Sequence, residues 1–189
     1  MIVLLLAAAP PFASAIPFGS EVFIDRFEPA NPLNLSGNWS HTNSTSVGAL
    51  WNISTTTQGI GNDPGQAQAG RSLPCLGVVG GCVMGLRSNI NTTGIYNISV
   101  NYTIRTDGLD TGEYMRIFIK DSSGIWDTIQ ESVGDFSTTS LLWNSSGDTQ
   151  YHYENFNISF ACSTSLSISE WCFLDNLSMR IEEYNSPTV

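Results

Sequence analysis

Gly94 to Arg105 reads GIYNISVNYTIR, and from Asn97 onward it alternates without a break. Ile98, Val100, Tyr102 and Ile104 fall on one side, with Asn97, Ser99, Asn101 and Thr103 on the other. A period of two is that of a strand with one face on a core and the other toward solvent. Glu113 to Lys120, EYMRIFIK, repeats the pattern, setting Tyr114, Arg116 and Phe118 against Met115, Ile117 and Ile119. Tyr153 to Cys162, YENFNISFAC, sets Phe156, Ile158 and Phe160 opposite Asn155, Asn157 and Ser159. In Phe173 to Ile181, the residues Phe173, Leu177, Met179 and Ile181 are expected on one face, and Asn176, Ser178 and Arg180 on the other. Alternation also points Asp175 inward, between Phe173 and Leu177. Turn segments such as TDGLDTGE and KDSSG separate these runs, and no 3.6-residue apolar period appears after the N-terminus. Many short strands of this kind predict an all-β, two-sheet antiparallel sandwich. Ser54 to Gly70, STTTQGIGNDPGQAQAG, reads as loop by composition.

Ten of the fifteen asparagines begin an N-x-[ST] sequon: Asn34, Asn38, Asn43, Asn52, Asn91, Asn97, Asn101, Asn144, Asn157 and Asn176. N-linked glycans are expected there if the chain enters an export route. The N-terminus points that way. Met1 to Ala9, MIVLLLAAA, leads through a Pro pair to Ala13-Ser14-Ala15, a signal-peptide pattern with cleavage after Ala15. The remaining 16–189 are expected to form one domain, extracellular or at the cell surface. The apolar run is too short for a membrane span, which needs about 20 residues.

Four cysteines fit that compartment. Cys75 and Cys82 bracket PCLGVVGGC, and Cys162 and Cys172 bracket CSTSLSISEWC. Two local disulfides are the simplest of three pairings. A four-thiolate zinc site is the rival, and these spacings lack its paired knuckles. Net charge is −10 with a single lysine, Lys120, so nucleic acid is excluded as a partner.

The order of landmarks adds a family resemblance. FIDRFE (Phe23 to Glu28) precedes Trp39, NTTGIYNISVNYTIR follows, GEYMRIFIKDSSGIWDTI carries Trp126 past its turn, and FLDNLSMRIEE closes the chain. This order resembles secreted jelly-roll β-sandwiches of carbohydrate-binding modules and MAM-like ectodomains, over Val22 to Glu183. The resemblance implies a structural calcium joining the opening segment to the closing strand, here at Asp25 or Glu28 and Asp175. Hydrogen bonding of Asp175 to the N-terminal segment is the alternative, since a buried carboxylate needs a partner.

An enzyme is not expected. GxSxG and HExxH are absent, and His41 and His152 stand without convincing partners. The first expectation is a glycosylated structural or adhesive surface protein that assembles with itself or with other surface glycoproteins. Strand addition would serve as the contact, with Ile16 to Ile24, IPFGSEVFI, as donor or as the domain's own first strand. The alternative is a carbohydrate-binding module with polysaccharide as partner, with Trp51, Trp126, Trp143, Trp171, Tyr151 and Tyr153 as candidate stacking residues and Trp51 and Trp143 first among them. Sequons on strand faces count against a binding groove, because the protein's own glycans would occupy it.

Overall fold

A computed structural model describes residues 20–25, 39–42, 51–54, 66–70, 82–86, 88–164 and 170–183. The signal segment 1–15, residues 16–19, Glu28, Asn34, Asn38, Asn43 and Cys75 lie outside the described residues. The strands are β1 (Ser20–Asp25), β2 (Trp39–Thr42), β3 (Asn52–Ser54), β4 (Gln66–Gly70), β5 (Cys82–Leu86), β6 (Ile95–Asp107), β7 (Tyr114–Lys120), β8 (Trp126–Val133), β9 (Phe136–Asn144), β10 (Ile158–Ser163) and β11 (Trp171–Glu183). Among the described residues one 3-10 turn, Thr149–Tyr151, interrupts them, capped by Asp148, whose side chain accepts from the Gln150 N–H.

Two antiparallel sheets form the jelly-roll sandwich. Sheet A runs β3-β4-β11-β6-β9, with β1 also paired to β11; sheet B runs β2-β5-β10-β7-β8. The alternation in β6 and β7 holds. Ile98, Val100, Tyr102 and Ile104 from sheet A meet Met115, Ile117 and Ile119 from sheet B in one buried core. Trp39 of sheet B bridges the layers. Its ring meets Phe23 of sheet A edge-on at 5.8 Å and Phe160 at 5.8 Å. Such aromatic contacts reach over larger areas than aliphatic ones, so truncating Phe160 to Ala is expected to cost about 3–5 kcal/mol.

The sheets are also linked covalently. Cys162 of β10 and Cys172 of β11 form a disulfide with Cα atoms 6.0 Å apart, which closes the crossover between the layers. This is the local pairing expected for that couple. On the far side, Gly134 (φ 70°) lets the chain step from β8 into β9 over two residues.

Two expectations change, and between the two readings of Ile16 to Ile24 the structure takes the domain's own first strand. Within Ser54 to Gly70, Gln66–Gly70 is a strand, not loop, and Ala67 and Ala69 are fully buried. Alanine has little intrinsic strand preference, so β4 exists because β3 and β11 flank it. Ser20–Asp25 is the domain's own strand, in register against Leu177 to Ile181.

The other change is in β11. Asp175 pairs with Thr103 and Ser178 with Asn101, so one extra residue bulges out, with Asn176 at φ 50°. A bulge exchanges the faces of everything on one side of it. Cys172 and Leu174 therefore face the core before the bulge, and Leu177, Met179 and Ile181 after it. Phe173 and Asp175 share the outer side with their partners Arg105 and Thr103. Asp175 is buried as expected, 2% exposed, but on the side of the sheet away from Leu174 and Leu177.

Candidate functional site

The two outer faces differ in chemistry. On sheet A, the sequon residues Asn97 and Asn101 point outward from β6, half-buried beside Ser99. Asn144 is exposed at the end of β9, and Asn176 is exposed on the β11 bulge. Asn52 lies on β3, opposite Gln68. Asn91 is exposed in the connection before β6. Among the described residues, no sequon asparagine lies on a strand of sheet B. Asn38 and Asn43, which flank β2 in sequence, are outside that set.

Asn157 immediately precedes β10, but its side chain is only 8% exposed. Its Nδ2 donates to the Leu86 carbonyl at 3.1 Å and to Asn89 Oδ1 at 2.8 Å. The sequence placed Asn157 on a solvent face; here its amide nitrogen is buried and engaged. The alternating run begins at Tyr153 but the strand only at Ile158, and Asn157 pins the irregular segment ahead of it.

Sheet B presents a different surface. Tyr114, Arg116, Phe118 and Lys120 project outward from β7, half-buried, opposite Met115, Ile117 and Ile119. Their neighbours across β8 are Val133, Glu131, Thr128 and Trp126. Trp126 is 43% exposed. On the other side, β10 offers Ser163, Ala161 and Ser159, and β5 continues the rows with Val83 and Gly85. Ala161 and Ser159 are buried while the β7 side chains rise beside them. The small β10 residues thus lie low beside the raised β7 row, a trough with Tyr114 and Phe118 along one side.

Electrostatics order the wall. The Arg116 guanidinium sits 3.8 Å from the Tyr114 ring centroid and pairs with Glu131 through Nε. A planar cation held over an aromatic face keeps further N–H donors available at its edge. Aromatic faces stack on the apolar side of a ring, and adjacent charged donors and acceptors satisfy hydroxyls. Tyr153, anchored by its hydroxyl to the Lys120 carbonyl at 2.8 Å, supports the end of β7.

Of the stacking candidates read from the sequence, Trp126 lies on this face, while Trp51 and Trp143 lie elsewhere. Trp51 is 1% exposed in the core, so its ring faces are already covered. Trp143 packs against the core and meets Tyr151 edge-on at 5.2 Å. Of the exposed aromatics, the alternation of EYMRIFIK was the available signal for Tyr114 and Phe118.

A second depression opens at the end of sheet A, lined by Arg105, Thr106, Asp107, Asp135, Phe136 and Ser137. Its groups satisfy one another. Arg105 binds Asp107 at 2.7 Å and lies 5.5 Å over the Phe173 ring, and Asp135 accepts from the Leu109 N–H. It also shares its sheet with the sequons. At the calcium positions suggested by the resemblance, Asp25 pairs in register with Leu177 at the end of β1. Asp175 accepts from the Asn176 N–H at 2.7 Å and from Asn176 Nδ2 at 3.3 Å.

No protein-family model matches the sequence, and no curated protein matches it. Solved structures do resemble the fold. The K3 cleaved adhesin domain of Lys-gingipain from Porphyromonas gingivalis is 12% identical with a TM-score of 0.56, covering 85% of this chain and 99% of its own. The CBM22-1 xylan-binding domain from Paenibacillus barcinonensis is 12% identical with a TM-score of 0.54, covering 90% and 99%. The N-terminal cellulose-binding domain of a Cellulomonas fimi β-1,4-glucanase is 12% identical with a TM-score of 0.50, covering 91% and 99%. At this identity the likeness is one of fold. It is the jelly-roll sandwich of carbohydrate-binding modules and adhesin domains.

Proposed function

We propose that this chain is a non-catalytic, extracellular carbohydrate-binding module that holds polysaccharide against the outer face of sheet B. The observation that carries this reading is the unequal distribution of sequons. Five lie on strands of sheet A, whereas the trough of Tyr114, Phe118 and Trp126 bears none among the described residues. The objection that the protein's own glycans would fill a binding groove therefore applies to one face and leaves the other open. The neighbours named for xylan and cellulose binding support the reading through fold alone. The Cys162–Cys172 disulfide supports an oxidising, extracellular compartment.

The reading as a self-assembling filament or coat subunit has less support. It drew on Ile16 to Ile24 as a free donor strand, yet Ser20–Asp25 is already used within the domain's own sheet. Affinity electrophoresis through soluble xylan and hydroxyethylcellulose tests the proposal. Retardation by at least one polysaccharide, lost in Tyr114→Ala and retained in Asn101→Gln, is the expected outcome. Equal mobility with and without either polysaccharide counts against it.

A further inference from the structure

We propose that Asp110, Glu113 and Glu170 form a calcium site, separate from the sheet B trough and from the Asp25, Glu28 and Asp175 positions. Asp110 and Glu113 sit in the connection from β6 to β7, and Glu170 directly precedes β11. Together they place residues some sixty positions apart in the chain at one point. One carboxylate oxygen from each lies within 4.8 Å of the others.

The acidic cluster alone would mean little. The second observation is the state of Glu113. Its side chain is 8% exposed, and Oε2 takes the Asp110 N–H at 2.6 Å. Its Oε1 is buried with no hydrogen-bond partner at all. A buried carboxylate oxygen without a donor calls for a cation. Glu170, 0% exposed, adds a second buried carboxylate to the same point and holds polar partners of its own, so the orphan is the Glu113 oxygen.

The donor set, three carboxylates of which two are buried, favours calcium among common cations. Calcium binds oxygen at about 2.4 Å, so ligands on opposite sides of the ion stand about 4.8 Å apart. Magnesium usually keeps several of its waters and takes only one or two carboxylates, so a buried three-carboxylate point suits it less. Zinc is disfavoured by a donor set made only of carboxylates. The backbone around Glu113 is already shaped for such a role. Its N–H donates to the Asp110 carbonyl at 3.1 Å, and its carbonyl accepts from the Gly134 N–H at 3.2 Å. An ion there would tie the β6–β7 connection to the start of β11, two residues ahead of the disulfide at Cys172.

Terbium serves as the probe alongside calcium, because Tyr114 and Trp171 each neighbour a ligand in the chain and would sensitise its emission. The whole secreted protein is stripped with EGTA, then titrated with calcium by calorimetry and with terbium by luminescence. Calcium is expected to raise Tm and to quench the terbium signal. Glu113→Gln and Asp110→Asn should each weaken calcium binding by on the order of tenfold or more, since each removes one ligand charge. Asp110 is exposed, so Asp110→Asn reports even where Glu113→Gln fails to fold. Asp175→Asn should leave the sensitised emission intact. Calcium uptake that is absent, unchanged in both variants, or lost only in Asp175→Asn overturns the proposal.

Discussion

The two sheets of this sandwich share one core and one alternation rule, yet their outer faces carry different chemistry. Sheet A turns asparagines outward at Asn97, Asn101 and Asn144 and exposes Asn176 on its bulge. Sheet B turns Tyr114, Arg116, Phe118 and Lys120 outward. Glycans are large, hydrated and mobile, so a face that bears them is closed to tight contact. The proposed binding face is the opposite one, whose strands bear no sequon among the described residues. A chain can thus be heavily glycosylated and still keep an aromatic surface for recognition, provided the acceptors segregate by sheet.

The strongest way to break this comparison is to move a glycan across the sandwich. Lys120→Asn, together with Asp121 and Ser122, completes an N-x-S sequon on the sheet B face. Its glycosylated product should lose polysaccharide binding entirely, whereas adding Ser122→Ala, which removes the sequon, should restore it. Affinity electrophoresis of the two proteins distinguishes steric closure from loss of the lysine.

Uncoupling the sheets comes next. Cys162→Ala with Cys172→Ala opens the link between β10 and β11 and should lower stability by about 2–4 kcal/mol, measured by chemical denaturation. A smaller change, Trp126→Ala, removes one exposed aromatic contact. Affinity should fall on the order of tenfold, equal to about 1.4 kcal/mol, with Tm unchanged because the ring is 43% exposed. Asn101→Gln should do neither.

Occupancy sharpens the comparison within the sequons themselves. Peptide mapping should find glycan at Asn101 and Asn144 and none at Asn157, whose Nδ2 is buried and doubly bonded. The smallest effect is on pH dependence. Burial pushes His152 below its ordinary value of 6.5, offset in part by Asp148, and its Nε2 lies 3.0 Å from Ser145 Oγ. The folded state thus binds its proton less readily than the unfolded state. Stability is unaffected above the ordinary value and falls as pH drops below it. A modest loss of Tm below about pH 6.5, flattened in His152→Gln, is expected in thermal melts.

Much of this architecture is legible in the residues, and the failures have local causes. In β6 and β7 the alternation placed Ile98, Val100, Tyr102, Ile104, Met115, Ile117 and Ile119 in the core, because both strands are central, and it missed Ile95 at the start of β6. In β11 it misplaced Phe173 and Asp175, because a bulge reverses parity midway. The available warning was Asn176, since asparagine is among the few non-glycine residues that accept positive φ. QAQAG gave no strand signal, as alanine and glutamine carry little preference, and only neighbouring strands define β4. Trp51 and Trp143 illustrate a separate limit. A tryptophan beside a turn looks the same in sequence whether its ring packs inward or outward. The Asp110, Glu113 and Glu170 cluster was invisible because only the crossover between sheets joins its two halves.

The most direct test is a chemical-shift titration of the isotope-labelled protein with xylohexaose and with cellohexaose, following backbone amides on both sheets. Shifts confined to β7, β8 and β10, centred on Tyr114, Phe118 and Trp126, are what this account predicts. Shifts confined to β6, β9 and β11, or none with either oligosaccharide, would contradict it.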